Sequence, residues 1–508
     1  MIKTDVLIIG AGPTGLALAC QLLKYKIDFQ ILDIKDGITT LSKAMVVHAR
    51  SMEVFDEMGL AETFESEGQP MKNINIMSSG EIAERLQLNK FGMGLTKFPY
   101  LLTLEQSKTE KILYQHLVEN NIVVNWNTQL LNYENNKDGV SALLKDTKGN
   151  TQSIQSRYII GCDGAKSQIR HQMNISFEGS TIERTFYVAD VAIKSDVINK
   201  KEGFINVIKN GFVLIFGMPE TDRFRIIGVL SDEEAAVENI SFEDIKNTIK
   251  EQVTTPLTFK REFWFATYKV HSRMASTFIQ NKAILAGDAC HIHTPAGGQG
   301  MNTGIQDAYN LAWKLAYVLN GKANESILNS YNIERVANAK NLLQTTDTQF
   351  DFMVGENMFV NFIKMHIFPH VAKLVTNTKF ASKRAFLFLS QLAIKYPQSP
   401  LTITSKMGDI EAGDRFPYFE LTNGENIYDK LNSQSFKLLY FGAKGDSMDL
   451  DNLPFASIYL KFNETPKCFG DNTNFYVYVR PDNHISYLGR ELEELNVLNK
   501  QESSTPNK

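Results

Sequence analysis

The sequence of 508 residues has few cysteines, no long apolar run and no excess of either charge. Its four cysteines, Cys20, Cys162, Cys290 and Cys468, show neither CxxC nor metal-ligand spacing, so neither a disulfide framework nor a zinc site is expected. With 53 basic and 57 acidic residues, the net charge of −4 gives no reason to expect a nucleic-acid partner. No apolar stretch reaches about 18 residues, so no membrane span is expected. These absences predict a cytoplasmic globular protein.

The beginning of the sequence has the pattern of a dinucleotide-binding unit. Residues 5–9 predict a buried strand, residues 13–25 a helix and residues 29–33 a second strand. The first strand and the helix are joined by Gly10-Ala11-Gly12-Pro13-Thr14-Gly15, which fits GxGxxG. A glycine turn in another kind of α/β protein is the alternative, and the two strands and Asp33 count against it.

Each glycine of this motif, the helix start and the acid at the end of the second strand have a physical role. Gly10 permits the tight turn, Gly12 lets the backbone approach a pyrophosphate, and Gly15 allows the helix to pack closely on the strand. The helix N-terminus at Pro13 then offers N–H groups to the phosphates. Asp33 ends the second strand, where its carboxylate can accept ribose hydroxyl groups. The motif predicts a dinucleotide without saying which one.

A second glycine-rich block indicates FAD. Gly287 and Asp288 follow an apolar strand, and residues 291–302 lead into a helix predicted over residues 301–319. NAD does not need this block, whereas Asp288 can hold the ribityl chain of FAD, and the glycines can approach its isoalloxazine ring. The helix N-terminus at Met301 and Asn302 would stabilise negative charge at N1 and O2 of the reduced flavin.

His291 and His293 make a metal site the alternative for the same block. Their i, i+2 spacing points the two side chains apart on a strand, and no acidic or cysteine pattern accompanies them in the sequence. No metal site is therefore predicted.

The region between the two blocks has a different pattern. Residues 185–193, 204–216, 223–230 and 258–270 are β-branched and aromatic with partial alternation, which predicts an antiparallel sheet inserted into the α/β domain. Residues 350–395 predict helices rich in Phe and Met. A membrane-surface helix is conceivable there, but packing between domains is preferred. Strands near residues 437–441 and 475–479 indicate a further α/β domain.

Several longer motifs match one family. They are GAGPTGLALA at residues 10–19, HARSMEVFDEMGL at 48–60, LEQSKTEKIL at 104–113, IIGCDGAKSQIR at 159–170, GDACHIHTPAGGQGMNTGIQDAYNLAWKLA at 287–316 and SYNIER at 330–335. AGDRFP at 412–417 and YVYVRPDNHISYLG at 476–489 match more weakly. With these motifs the sequence resembles the para-hydroxybenzoate hydroxylase family of FAD-dependent aromatic hydroxylases. It is most similar to the subgroup of phenol, aromatic polyketide and rifampicin monooxygenases that carries a C-terminal thioredoxin-like domain.

The resemblance implies an α/β fold with a Rossmann-like FAD-binding domain, an inserted antiparallel β-sheet substrate domain, a helical linker and a C-terminal thioredoxin-like domain. The expected bounds are 1–72, 106–175 and 278–349 for the FAD-binding domain, 73–105 and 176–277 for the substrate-binding sheet domain, 350–400 for the helical connector, 401–495 for the thioredoxin-like domain and 496–508 for a disordered tail. Because the C-terminal domain lacks CxxC, it is interpreted as structural or homodimer-forming rather than redox-active.

The family's cofactor contacts carry over to individual residues. Asp33 resembles the ribose-binding acid, Arg50 the phosphate-side arginine and Gln106 the FAD-contacting glutamine, while Leu130 lies at the apolar position beside the adenine. The full expected set is Gly10, Gly12, Pro13, Gly15, Asp33, Arg50, Gln106, Leu130, Asp163, Gly164, Gly287, Asp288, Pro295, Gly298, Gly300, Met301 and Asn302.

Three of these positions imply more than FAD binding, and two residues outside the set depart from the family. Asp163 and Gly164 resemble a motif that contacts the pyrophosphates of both FAD and NAD(P)H. The backbone of Pro295 is the candidate for shaping the catalytic pocket, and no catalytic side chain is assigned. Lys43 and Ile34 stand where arginine is common in the family, which affects the adenosine and phosphate contacts.

The resemblance implies a single-component monooxygenase that binds FAD non-covalently. NAD(P)H reduces the flavin, O2 adds to form a C4a-hydroperoxide, and a phenolic or polycyclic aromatic substrate is hydroxylated. The single Rossmann fingerprint makes NAD(P)H a transient co-substrate and disfavours a reductase with two dinucleotide sites. The alternatives are an FAD-dependent oxidoreductase without oxygen insertion and an FAD-containing sequestering or resistance protein. The substrate, the general base and the choice of NADPH or NADH stay open.

Overall fold

The computed structural model describes most of the chain between residues 2 and 491. Within that range, residues 41–43, 79, 210, 221, 356–372, 374–375, 432–433, 443–455 and 471–473 are not described. Lys43, part of the predicted helical connector and the predicted tail therefore lie outside the described residues.

The first third of the chain alternates between strands and helices. Its elements are β1 (Ile2–Ile9), α1 (Pro13–Lys24), β2 (Phe29–Leu32), β3 (Val46–Val47), α2 (Ala49–Asp56), α3 (Ala61–Glu67), β4 (Gln69–Met71), β5 (Asn73–Ser78), β6 (Glu81–Gln87), α4 (Leu88–Phe91), β7 (Leu101–Thr103), α5 (Gln106–Glu119), β8 (Val124–Asn125), β9 (Thr128–Asn136), β10 (Gly139–Asp146), β11 (Thr151–Gly161) and α6 (Gln168–Gln172).

The middle of the chain is mainly strands, followed by two long helices. Its elements are β12 (Phe177–Lys194), β13 (Glu202–Ile208), β14 (Gly211–Gly217), β15 (Arg223–Val229), α7 (Asp232–Ala235), α8 (Phe242–Val253), β16 (Thr258–Ala275), β17 (Ile279–Gln280), β18 (Ala283–Leu285), β19 (His291–Ile292), α9 (Gly300–Leu319) and α10 (Leu328–Val354).

The C-terminal part forms a smaller unit. Its elements are α11 (Lys379–Leu389), β20 (Lys406–Met407), β21 (Ile410–Glu411), α12 (Ile427–Leu431), β22 (Lys437–Phe441), β23 (Ala456–Leu460), β24 (Phe475–Val479) and β25 (Ile485–Gly489).

A largely parallel sheet with the order β17-β18-β11-β1-β2-β8 holds the first glycine motif, and the β9–β10 hairpin extends from β11. Its central strand β1 pairs in parallel with both β2 and β11. Val6, Leu7 and Ile8 are completely buried, as expected for a parallel strand covered on both faces. The predicted strand–helix–strand unit is present, with β2 ending at Leu32, one residue before the predicted end.

The second sheet has the order β19-β16-β12-β15-β14-β13-β5-β6 and is antiparallel except for the β13–β5 pair. All four predicted segments lie in it. Residues 204–216 supply two of its strands, since β13 and β14 form a hairpin in which Ile208 pairs with Gly211. In the sequence, the Asn-Gly pair at residues 210–211 is the signal typical of a hairpin.

The two faces of this sheet have different surroundings. Helix α8 covers the outer face, where Phe242, Ile245 and Ile249 pack on residues such as Ala189 and Ile226. The inner face is directed toward the first sheet and the end of α10. Two inner-face residues, Ile205 and Phe216, pack against the same core as the dinucleotide-binding strands.

The C-terminal sheet has the order β23-β22-β24-β25, with β22 and β23 parallel and the other two pairs antiparallel. This is the strand order of a thioredoxin-like sheet. The predicted strands at 437–441 and 475–479 coincide with β22 and β24. Of the predicted helical connector, residues 350–400, the structure describes the end of α10, helix α11 and the segment of residues 390–400 that follows it.

The cysteines are placed as unpaired thiols. Cys20, Cys162 and Cys290 are buried, and Cys468 is partly buried. Burial raises the pKa of the Cys162 and Cys290 thiols well above the usual value. Among the described helices, none is both long and apolar enough to cross a membrane.

A buried ion cluster attaches the C-terminal sheet to helices α9 and α10. Arg480, in the β24–β25 turn, donates to the two carboxylate oxygens of Glu334 at 2.7 and 3.0 Å. Lys314 Nζ lies 2.6 Å from the same carboxylate. Burial alone would raise the pKa of Glu334, but the cations of Arg480 and Lys314 lower it to about 2.

Asp482 extends this cluster to two further elements. Its carboxylate accepts hydrogen bonds from Arg480 Nε at 3.0 Å and from the indole N–H of Trp313 at 3.1 Å. Its backbone carbonyl accepts a bond from Arg50 at 2.8 Å. Because each buried charge has a partner of opposite sign, the two parts of the chain are joined in one specific geometry.

The substitution Glu334→Gln is expected to lower the free energy of unfolding by about 3–5 kcal/mol, because it leaves Lys314 buried without its anion and leaves Arg480 with Asp482 alone. The matched control is Glu325→Gln, whose side chain is 52% exposed beside Lys282 and should change stability by at most about 1 kcal/mol. Guanidinium chloride unfolding measures both. Equal effects of the two substitutions would contradict the interpretation of the cluster.

Candidate functional site

The turn between β1 and α1 requires glycine because other backbone lies against it. Gly10 has φ +103°, and a Cβ built there would lie 2.3 Å from the carbonyl oxygen of Cys162. A Cβ at Gly15 would lie 1.9 Å from the carbonyl oxygen of Gly10. The turn is thereby held directly against Cys162 and Asp163, so two of the predicted motifs meet here.

The beginning of α1 fits a phosphate group. Gly12 is the N-cap without a side-chain cap, Pro13 occupies the first turn, and the space around a Cβ at Gly12 is open to 4 Å. The N–H groups of Thr14 and Gly15 belong to the first turn, which has no acceptors within its own helix. Open space, free donors and the helix dipole together suit an anion such as the FAD pyrophosphate.

Asp33 lies directly beside this turn. One carboxylate oxygen accepts a hydrogen bond from the N–H of Ala11 at 2.7 Å, and the other from the N–H of Lys35 at 2.9 Å. Asp33 therefore holds the glycine turn in place. Because a carboxylate oxygen has two lone pairs, further bonds to ribose hydroxyls are compatible with this arrangement, and that role stays a prediction.

Gln106 lies at the start of helix α5, and Leu130 lies on strand β9. Gln106 begins α5, where its N–H donates to Ala44 O at 2.9 Å and its amide to Glu110 at 3.0 Å. Leu130 is a buried residue of β9. Their predicted contacts with FAD stay predictions.

Arg50 is in a different environment from the one expected. Its guanidinium is 3% exposed and donates to Glu53 at 2.9 Å and to Asp482 O at 2.8 Å. Glu53 in turn binds Arg415 of the C-terminal part. These contacts favour a role in the interface with the C-terminal part, and the phosphate role of Arg50 stays an untested prediction.

Asp163 presents an unpaired oxygen beside the glycine turn. Its Oδ2 accepts bonds from the N–H groups of Gln168 and Ile169 at 2.6 and 3.2 Å. Its Oδ1 is buried and has no protein partner among the described residues. Burial raises the pKa of Asp163 despite these bonds. A buried acceptor without a donor fits a site that a hydroxyl or N–H group of a ligand completes.

The two glycine blocks, almost three hundred residues apart, meet at Thr14. Gly287 has φ +65°, and a Cβ there would lie 2.4 Å from Thr14 Oγ1. A Cβ at Gly304 in α9 would lie 2.3 Å from the same atom. Asp288 is exposed between the buried residues Gly287 and Ala289. The two glycine motifs that the sequence assigns to one ligand are therefore adjacent in the structure, and their contacts with FAD stay a prediction.

Arg170 joins the same two regions from the other side. It donates to the carbonyl oxygens of Ala165 and Ala289, each at 2.8 Å, and its guanidinium lies 3.8 Å from the ring centre of Phe177. The turn after Gly164 and the turn after Asp288 are consequently fixed to each other.

Asp307, which the sequence interpretation missed, holds the second glycine block. Its Oδ2 accepts bonds from the N–H of Gly287 at 3.0 Å and from His291 Nε2 at 2.7 Å. Its Oδ1 accepts a bond from Arg335 Nε at 2.6 Å. Burial would raise the pKa of Asp307, but Arg335 and His291 lower it to about 2. The available signal was a carboxylate on the apolar face of α9, one residue before Ala308.

This arrangement also corrects the argument about metals. The sequence showed no acidic or cysteine pattern typical of a metal site around His291, yet the ligand atoms of Cys290, His291 and Asp307 lie within 4.8 Å of one another. Because Arg335 already places a positive charge against the Asp307 carboxylate, we interpret the cluster as an ion-pair network. The absence of a metal stays a prediction.

Two neutral histidines lie beside the loop of residues 295–300. His48 Nε2 donates to Gly297 O at 3.0 Å, and His293 Nδ1 donates to Thr294 O at 2.7 Å. Because a carbonyl oxygen only accepts hydrogen bonds, the ring proton lies on Nε2 in His48 and on Nδ1 in His293. Burial lowers the pKa of both rings to about 4. The sequence interpretation did not single out His48.

Asn302 fixes the same loop to strand β3 and to the residue before helix α2. Its side-chain amide donates to Val46 O and Gly298 O at 2.8 and 3.0 Å, and its carbonyl accepts the N–H of His48 at 2.8 Å. Helix α9 begins at Gly300, one residue before the predicted start. The side chain of Asn302 is thus structural, while the first-turn N–H groups of Met301 and Asn302 face outward from the helix end.

The inner face of the second sheet offers an apolar surface. Cross-strand pairing aligns one aliphatic row across five strands, made of Ile205, Leu214, Ile227, Val188 and Ala266. All but Val188 are partly exposed. On one side of this row lie Phe186, Phe212 and Tyr268. On the other, the buried Arg225 donates to Asp190 at 2.7 and 2.8 Å.

Strand β19 connects this sheet to the glycine loop. His291 and Ile292 pair with Met274 and Arg273 of β16, immediately before residues 295–302. The apolar face and the loop are therefore parts of one continuous region.

Comparisons with known proteins agree with this geometry. A family model described as "FAD binding domain" matches residues 3–346. The 6-methylpretetramide 4-monooxygenase of Streptomyces rimosus is 31% identical over 410 residues, which cover 80% of this chain and 72% of that protein. A rifampicin monooxygenase of Rhodococcus hoagii is 27% identical over 513 residues, which cover 97% of this chain and 96% of that protein.

The fold has solved counterparts. The crystal structure of aklavinone-11 hydroxylase in a ternary complex with FAD and aklavinone superposes with a TM-score of 0.79 at 18% identity, covering 99% of each chain. This likeness confirms the predicted fold, including its C-terminal domain. With the family match over two thirds of its length, the chain belongs to the FAD binding domain family and is a flavin-dependent monooxygenase.

Proposed function

We propose that this protein uses NAD(P)H and O2 to hydroxylate an aromatic substrate, either phenolic or polycyclic. The observation that carries the proposal is the apolar inner face of the second sheet, which continues through β19 into the glycine loop of residues 295–302. The relatives described above are named for 6-methylpretetramide and rifampicin. A large, mainly apolar face suits a substrate of that class.

FAD, when bound, supplies the redox chemistry and the reaction with O2. In this proposal the N-terminus of α1 at Gly12 and Pro13 binds the pyrophosphate, Asp33 the ribose and Asp288 the ribityl chain. Gln106, Leu130, Asp163 and Gly164 complete the contacts along the cofactor. The open space at Gly12 and the unpaired Oδ1 of Asp163 support this placement.

The residues at the flavin ring have three tasks. The N–H groups of Met301 and Asn302 at the start of α9 stabilise negative charge on the ring. The backbone at Pro295, Gly298 and Gly300 shapes the wall beside the reacting atoms. The apolar row containing Leu214 and Ile227 excludes water and holds the substrate ring.

The division of labour follows the predicted domains. Residues 1–72, 106–175 and 278–349 bind FAD, residues 73–105 and 176–277 bind the substrate, and residues 401–495 form the thioredoxin-like domain. Because the chain has one dinucleotide fingerprint, NAD(P)H binds only transiently, with Asp163 and Gly164 as its expected contact.

Incubation of the purified protein with NADPH or NADH, O2 and a panel of phenols and polycyclic aromatics is expected to yield a product heavier by one oxygen atom. Mass spectrometry with ¹⁸O₂ checks the source of that atom. Oxidation of NAD(P)H and substrate without oxygen incorporation would instead favour an oxidoreductase. Bound FAD with no stimulation of NAD(P)H oxidation by any compound would favour a sequestering protein.

Asp288→Ala is expected to weaken FAD binding about tenfold or more, since a hydrogen bond between a carboxylate and a hydroxyl contributes about 1.5–3 kcal/mol. Flavin fluorescence measures the dissociation constant of the reconstituted protein. Asp138→Ala, at an exposed position in the β9–β10 turn, is the control and should bind FAD as the unmodified protein does. Unchanged affinity in Asp288→Ala would remove Asp288 from the proposed site.

Leu214→Asn is expected to raise KM for the aromatic substrate about tenfold or more, because an apolar contact is lost and an amide is left in an apolar pocket. FAD content should not change, since Leu214 lies on the sheet and not in the glycine loop. Val237→Asn, at a residue 48% exposed, is the control. A normal KM for Leu214→Asn would place the substrate elsewhere.

A further inference from the structure

The short segment of residues 390–396 lies between α11 and the C-terminal sheet and contacts the helices that support the flavin loop. We propose that this segment positions the loop of residues 295–302 for FAD, and that Gln391 and Tyr396 are its positioning residues. The inference rests on the proposed place of the flavin at that loop. It assigns the C-terminal part a role in cofactor binding rather than in stability alone.

Gln391 contacts the first two turns of α9 through its side chain. Its Nε2 donates to Thr303 Oγ1 at 3.0 Å and lies 3.4 Å from Gln299 Oε1, and its Oε1 accepts a bond from Gln306 at 2.7 Å. Gln299 is the residue immediately before α9 and follows Gly298 of the flavin loop. Gln391 therefore holds the loop at the point where it becomes a helix.

The backbone of Gln391 indicates that this side chain is needed. Its φ of +59° lies in the left-handed region, directly after the C-cap residue Ser390 of α11. Glycine or asparagine is favoured in that conformation, and other residues adopt it at a cost in free energy. Gln391 is 4% exposed, and its three polar contacts with α9 offset the free-energy cost of this backbone conformation.

Tyr396 reaches the second glycine block through two residues. Arg335 NH1 donates to the Tyr396 hydroxyl at 2.9 Å, and Arg335 Nε donates to Asp307 at 2.6 Å. Asp307 accepts the N–H of Gly287 at 3.0 Å. A buried chain of hydrogen bonds thus runs from Tyr396 through Arg335 and Asp307 to the N–H of Gly287, the residue before Asp288.

Tyr396 is at the same time part of the C-terminal unit. Its N–H donates to Gly413 O at 2.9 Å, and its ring centre lies 4.5 Å from that of His484. The guanidinium of Arg480 lies 5.4 Å from the Tyr396 ring centre. Arg480 binds Glu334, and Arg335 follows Glu334 in α10. The packing of the C-terminal unit on α10 and the position of Arg335 therefore depend on each other.

Binding of FAD and seating of the C-terminal unit are therefore thermodynamically coupled, and coupling acts in both directions. A change in residues 390–396 alters FAD affinity. Conversely, FAD reduces opening of the β24–β25 turn, although that turn belongs to another sheet.

The first test measures FAD dissociation constants of the full-length apoprotein by flavin fluorescence. Tyr396→Phe and Gln391→Leu are expected to weaken FAD binding about fivefold or more. Their controls are Tyr428→Phe, which deletes a buried hydroxyl bonded to Phe416 O at 2.6 Å, and Gln21→Leu, a buried side chain without a described partner. The controls should stay within about twofold of the unmodified protein.

The second test uses hydrogen exchange of the backbone amides of residues 480 and 482–485, with and without FAD. FAD should slow exchange there in the unmodified protein and in Tyr428→Phe, and slow it less in Tyr396→Phe. A lower melting temperature with normal FAD affinity and normal FAD-dependent exchange in both positioning variants would overturn the inference. Failure of the unmodified protein to bind FAD would instead contradict the proposed function.

Discussion

The carboxylate of Asp307 accepts three hydrogen bonds from groups that are distant in sequence, and the arrangement of the cofactor region follows from them. It fixes the N–H of Gly287, the ring of His291 and the guanidinium of Arg335 around one buried position in α9. A carboxylate without partners would be strongly destabilising there. The chain must therefore bring β18, β19, α9 and α10 together before this anion can be buried.

The parts of the fold that were predictable are those that depend on local pattern. Two motifs were recognised in this way, the one from Gly10 to Gly15 and the block around Gly287. Each combines a run of apolar strand residues, glycines that permit unusual backbone geometry and the start of a helix, and all three features are visible in the sequence. Both blocks were assigned to FAD, but their contact at Thr14 was not predicted. The β13–β14 hairpin was not recognised because residues 204–216 are mostly apolar on both sides of a short polar stretch, and only the Asn-Gly pair marked a turn.

The residues that could not be predicted act across elements. Tyr396 lies in none of the motifs, and Arg335 ends the SYNIER motif without a role that the sequence assigns. Their contact arises only when α10 and the C-terminal unit pack together. Arg50 shows the opposite case, a motif residue whose contacts lead to Asp482 and not to the glycine turn. The inner face of the second sheet also required the structure, because a shift of one residue in register exchanges the two faces of a strand.

The buried thiols have a consequence for the lifetime of the enzyme. In the proposed reaction, a reduced flavin that meets O2 without substrate releases hydrogen peroxide, an oxidant of the enzyme's own making. Peroxide attacks thiolates far faster than thiols, and accessible sulfur faster than buried sulfur. Cys162 touches the glycine turn and Cys290 adjoins His291, and burial raises the pKa of both thiols and so favours their protonated form. If the proposed function holds, the same burial that packs these two cysteines beside the glycine blocks also slows their oxidation by that peroxide.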